Sequence, residues 1–113
     1  MAVSPGYKSF VIEQLERFSS ITSKSMFGGV GLYSDEYFFA LIADDRLYFK
    51  VDETNQPDFE AASMEPFRPY NDERSMKYWE VPVEVLEDID QLPVWTKKAV
   101  SVAQNAKRKK KRH

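Results

Sequence analysis

Ser34-Asp35-Glu36-Tyr37-Phe38-Phe39-Ala40-Leu41-Ile42-Ala43-Asp44-Asp45-Arg46-Leu47-Tyr48-Phe49-Lys50-Val51 sets two apolar runs between polar turn residues. Ser34 to Glu36 reads as a tight turn. Tyr37 to Ala43 is apolar at successive positions, the pattern of a strand covered on both faces. Asp44-Asp45 turns the chain again, and Arg46 to Val51 alternates, with Leu47, Phe49 and Val51 opposed to Tyr48 and Lys50. Such runs predict neighbouring antiparallel strands joined by short turns. Toward the N-terminus, Val30 to Tyr33 predicts a further strand and Ile21 to Met26 another before it, which makes the segment a meander.

Met26-Phe27-Gly28-Gly29 joins those two strands. Glycine reaches positive φ without a Cβ clash, so a Gly pair beside a strand predicts a turn, a bulge or a close backbone approach. It is not a phosphate loop, because Gly28-Gly29-Val30-Gly31 has neither the GxGxxG spacing nor a following Gly-Lys-Ser/Thr. Helical patterns flank the meander. Ser4 before Pro5 suits a helix start, followed by Tyr7, Phe10, Val11, Leu15 and Phe18 at helical spacing. Asp52 is placed to cap a helix over Glu53 to Ala62. Pro66 and Pro69 keep the next stretch extended at an edge, and Met76 to Val81 is the last strand. Pro82 opens a short helix that uses Val85, Leu86 and Ile89. A final helix from Asp90 to Ala106 carries Leu92, Trp95, Ala99, Val102 and Ala106 on one stripe. The pattern predicts a two-layer α+β domain over residues 1–106, an antiparallel sheet of five or six strands with helices packed on one face.

The 113 residues suffice for one domain. The absence of Cys rules out disulfides and thiolate chemistry. No apolar run approaches a membrane span, and the first residues lack a signal-peptide pattern, so a cytoplasmic protein without membrane association is expected. The net charge of -2 conceals two unlike parts. Lys107, Arg108, Lys109, Lys110, Lys111 and Arg112 hold six of the sixteen basic residues, which leaves a body with ten basic against eighteen acidic residues. Repulsion within 107–113 argues for a disordered tail. The helix propensity of Lys and Arg argues instead for a continued helix.

Ser25-Met26-Phe27-Gly28-Gly29-Val30-Gly31-Leu32-Tyr33 and Met76-Lys77-Tyr78-Trp79-Glu80-Val81-Pro82 are two signatures in one chain. Between them stand Phe39-Ala40-Leu41-Ile42, Leu47 to Asp52, Asn55, Phe59 and Pro66-Phe67, with Leu86-Glu87-Asp88 behind. In this order and spacing they resemble the N-terminal domain of the TfoX/Sxy family, bacterial regulators linked to natural competence. The resemblance runs from about Phe10 to about Val102. Ser63 departs from the family pattern, which often carries Gly after the helix, where an αL cap would suit it. Longer members carry a second, C-terminal domain, before which this chain stops.

Catalytic chemistry is thinly represented. The single histidine, His113, ends the chain, and no Ser-x-x-Lys falls on a convincing helix start. Asp44-Asp45 reads as a turn, and Glu87-Asp88 with Asp90 as favourable charge at the start of the last helix. No metal, cofactor or catalytic residue is expected. Trp79 and Trp95 read as core or near-core, with Tyr78 and Glu80 on the opposite face from Trp79. The aromatics Tyr37, Phe38, Phe39, Tyr48 and Phe49 exceed what one sheet face hides, so some belong to the second face or to an interface. The resemblance implies a non-enzymatic regulatory module acting by protein contact in transcriptional control, with a protein partner drawn from the transcription machinery or a regulator. Met26, Phe27, Gly28 and Gly29 are the candidate partner-binding residues, and a homodimer would use the same aromatic surplus. The alternative is a nucleic-acid-binding accessory protein that holds phosphates through Lys107 to Arg112; a small enzyme is the third reading.

Overall fold

Ser4 starts the first helix as the sequence predicts, its hydroxyl accepting from the Tyr7 N–H at 3.3 Å ahead of α1 (Pro5–Glu16). The computed structural model describes residues 3–26, 28–67 and 77–111. After α1 come β1 (Ile21–Met26), β2 (Gly29–Ser34), β3 (Tyr37–Ala43) and β4 (Arg46–Lys50). Then follow α2 (Gln56–Ala61), β5 (Tyr78–Glu80), α3 (Val83–Leu86) and α4 (Gln91–Lys111). The sheet is antiparallel with spatial order β1-β2-β3-β4-β5, and Pro66 adds an isolated bridge to Trp79 at the β5 edge. Five strands, with the described helices on one face, form the expected α+β domain, at the lower of the two strand counts.

Register fixes the turns. Met26 pairs with Gly29, Ser34 with Tyr37 and Ala43 with Arg46, which leaves two residues at each tip. Asp44 and Asp45 both take the left-handed conformation (φ 52° and 54°) that a type I′ hairpin turn requires. Asp45 Oδ1 also accepts from the Ser4 N–H at 2.7 Å, tying this turn to the start of α1.

A bulge explains why Tyr37 to Ala43 does not alternate. Leu32 pairs with Ala40 but Tyr33 pairs with Phe38, so Phe39 is the extra residue on β3. Phe39 and Ala40 therefore both enter the helix-side core. There they join Val11 and Leu15 of α1, Leu32, Ile42, Phe49, Phe59 of α2, and Leu92 and Ala99 of α4. Trp95 meets Phe59 edge-on at 4.8 Å, and half-buried Trp79 packs against the same core.

Four details differ from expectation. Asp52 does not cap α2; its Oδ1 accepts from the Thr54 N–H at 2.8 Å, and the helix begins only at Gln56. β5 is shorter than the predicted strand, and Met76 lies outside the described residues. α4 continues past Ala106 to Lys111, the helical of the two outcomes open to the basic run. Phe10, Phe18 and Ile89, placed on buried stripes by spacing alone, are 38%, 38% and 62% exposed. In α1 it is Gln14 that is buried, its Nε2 donating to the Leu86 carbonyl at 3.0 Å.

Ser63, just after α2, has φ 60° and is exposed. A side chain in this region costs about 1–2 kcal/mol, of which the looser unfolded chain of a glycine variant offsets about half. Ser63→Gly is expected to raise stability by about 0.5–1 kcal/mol, read as an upward shift of the urea midpoint at constant m-value. No gain would mean that the turn relaxes without strain.

Candidate partner-binding surface

The face of the sheet away from the helices carries a second cluster: Leu41, Ala43, Tyr48, Phe67 and Tyr78, with Phe38 packed against it. Strand alternation sends these side chains to the side opposite Ile42, Leu47, Phe49 and Trp79. Across β2 and β3, Tyr33 stacks on its cross-strand partner Phe38 with ring centroids 5.2 Å apart. Phe38 leans in turn toward Tyr78 at 5.5 Å, and Tyr48 meets Phe67 at 4.8 Å. Cations close the row at both ends. Lys24 Nζ lies 5.7 Å from the Tyr33 centroid, and Lys50 Nζ lies 5.1 Å from that of Tyr78. Arg46 faces Glu80 at 3.5 Å on the same side, a surface pair that adds little stability.

The row has a physical consequence. Tyr33 is contacted by Lys24 and Phe38, and Tyr78 by Lys50 and Phe38, so these rings already have intramolecular partners. Stacking a nucleobase on them would displace those contacts. Half-buried Tyr33 and Phe38 instead suit apolar contact with a protein surface.

Burial pushes the Tyr78 hydroxyl up to about 12, with the nearby Tyr33 adding to the effect. Burial also pushes Tyr7 up to about 12, reinforced by the charges of Glu80 and Asp45. Both pKa values rise above the value of about 10 that the unfolded chain retains. The neutral phenols therefore contribute stability that is complete below about pH 10 and lost as pH rises toward about 12. Urea midpoints at pH 9, 10 and 11 should fall in that order, and Tyr78→Phe should flatten the fall. An equal slope in the variant would dismiss Tyr78 as a cause.

The sequence-derived candidates fall at two ends of the sheet. Gly28 (φ 77°) lies in the β1–β2 tip, and Gly29 opens β2 beside the end of β3 at Ile42 and Ala43. Met26 ends β1 opposite Gly29, and Phe27 lies outside the described residues. At the other end, Lys107 pairs with Glu36 in the β2–β3 turn and sits 5.5 Å from the Tyr37 centroid. Arg108 is exposed, Lys109 to Lys111 form the end of α4, and Arg112 lies outside the described residues. A strand of six residues, roughly 20 Å, separates the two sets. They do not form one site.

Sequence reasoning placed surplus aromatics on a second face without naming Tyr33 or Lys24 as part of it. The alternation of β1 and β2 held that signal, whereas the bulge at Phe39 obscured the side taken by Phe38. Beside β5, a cavity of about 400 Å³ is lined by Val51, Asp52, Glu53, Gln56, Pro66, Lys77 and Trp79. Among the described residues no helix is long and apolar enough to cross a membrane, and no group of three or more His, Cys, Asp or Glu could hold a metal ion. No curated protein matches the chain. Residues 13–103, from within α1 to late α4, match the family model of the TfoX N-terminal domain, and the chain belongs to that family.

Proposed function

We propose that this domain is a non-enzymatic regulatory module that works in the cytoplasm by docking a protein partner in transcriptional control, as the TfoX/Sxy competence regulators are understood to do. The observation that carries the reading is the aromatic row Tyr33–Phe38–Tyr78 on the sheet face opposite the described helices, flanked by Lys24 and Lys50, with Tyr33 and Phe38 half-buried and Tyr78 buried beneath them. Interfaces concentrate such side chains. The test is an affinity pull-down from the native host, with and without nuclease, using wild type and a Tyr33→Glu, Phe38→Ser double variant. A partner that survives nuclease and is lost with a still-folded double variant supports the reading. A partner retained by that variant places the contact elsewhere.

The helical continuation to Lys111 favours a second reading, in which the basic end of α4 holds nucleic-acid phosphates. Six phosphate contacts at most would give a salt slope no steeper than about -5 in log–log terms. The acidic body weakens such binding. Loss of duplex binding at low salt on removing 107–113, with the protein partner retained, would separate this activity from that of the aromatic face.

A further inference from the structure

Phe10, Phe18, Val83, Ile89 and Val94 are the exposed large hydrophobic residues among those described, and all lie on α1 or just past its C-terminal end, on α3, between α3 and α4, or in the first turn of α4. Phe18 and Ile89 wall a cavity of about 340 Å³, completed by Gln14, Arg17, Leu92 and Pro93. That volume is within the range of ligand clefts. Gln14 is held in place from below by its bond to the Leu86 carbonyl. The groove thus has a fixed floor, although its walls spend apolar surface on solvent.

No β-strand lines the groove: Gln14, Leu92 and Pro93 belong to α1 and the first turn of α4, and Arg17, Phe18 and Ile89 flank these helix ends. The N–H groups of Phe18, Asp90, Gln91 and Leu92 are already bonded, the first to the Leu15 carbonyl and the others to Asp88. An extended peptide would find no strand edge to pair with, whereas a helix brings its own hydrogen bonds and needs only an apolar stripe. Charge narrows the partner further. Residues 5–18 and 83–94 contain six carboxylates, Glu13, Glu16, Glu84, Glu87, Asp88 and Asp90, against two cations, Lys8 and Arg17. Five of the six are exposed. A second copy presenting the same groove would bring like charges together, which costs affinity. We infer that the groove between α1 and the α3–α4 junction takes an amphipathic helix of another protein, with an apolar stripe flanked by Lys and Arg.

This surface is separate from the aromatic face of the sheet, and its test is independent of that face. Two synthetic helical peptides of about 18 residues share one leucine stripe; one is flanked by Lys and Arg, the other by Glu. Each is titrated into the isotopically labelled full chain, and amide shifts are mapped. The basic peptide is expected to move Phe18, Ile89 and Leu92 and to bind at least about tenfold more tightly than the acidic one. Ile89→Ser, which removes the apolar wall without adding charge, should weaken it by about tenfold while leaving the melting temperature unchanged, because Ile89 is 62% exposed. The Tyr33→Glu, Phe38→Ser variant should bind the basic peptide as wild type does. Equal affinity for both peptides, no binding of either, or shifts outside the groove overturns the inference. So does a sedimenting dimer that Ile89→Ser dissociates, since the occupant would then be a second copy.

Discussion

Gly29→Ala is expected to destabilise the domain by about 3 kcal/mol or more, as a β-carbon is forced against backbone. A Cβ at this position would lie 2.4 Å from the Ile42 carbonyl oxygen and 3.7 Å from the Ala43 Cβ. The first of these is a hard overlap with the neighbouring strand. It can be relieved only by separating β2 from β3 next to the Val30–Ile42 pair. Gly28 differs in mechanism. Its φ of 77° is open to glycine but costs other residues about 1–2 kcal/mol, so Gly28→Ala should be the milder change. Gly6 is the internal control: nothing stands within 4 Å of its would-be Cβ in α1. Gly6→Ala should raise stability by up to about 1 kcal/mol through helix propensity. Urea midpoints of the three variants give the ranking, and a Gly29→Ala protein as stable as wild type would remove close approach as the reason for glycine there.

Asn55→Ala should cost about 2–4 kcal/mol, since two backbone groups lose their partner in a buried place. Asn55 is 1% exposed. Its Nδ2 donates to the Lys50 carbonyl at 3.1 Å, and its Oδ1 accepts from the Asp52 N–H at 2.9 Å. The side chain therefore holds the link by which the chain leaves β4, passes Asp52 and enters α2, where Phe59 reaches the core. Calorimetry or denaturant unfolding reads the loss directly. A change below about 1 kcal/mol would mean that water replaces the amide without penalty.

Asn55 also shows where legibility in the sequence ends. Its role depends on two main-chain groups three and five residues away, in a turn whose geometry no side-chain pattern announces. Asp52 was the better cap by residue type, but its carboxylate is taken by Thr54. The hairpins were legible because short polar or glycine turns alternate with apolar runs, and the register leaves two residues at each tip. The bulge at Phe39 was not: one inserted residue changes which face each neighbour takes, and a continuous apolar run looks the same with or without it. Phe10, Phe18 and Ile89 fit the helical period as well as Val11 and Leu15 do. Their exposure reflects where the neighbouring elements end, which is tertiary information. The second face was legible as a surplus of aromatics, although its cation-flanked row needed the strand register to emerge.

The strand order, identical to the order along the chain, bears on how quickly the molecule finds its native state. Each of the first three pairings closes a loop of two residues, so chain-closure entropy is small and contacts in the meander are local in sequence. The helix-side core instead brings α4 back over β3 and β4 from half the chain away. A nucleus in the β2–β4 meander with late docking of α4 follows from this difference. Kinetic measurements should then show Gly29→Ala mainly slowing folding and Ala99→Gly mainly accelerating unfolding. The opposite partition would place the nucleus in the helical layer.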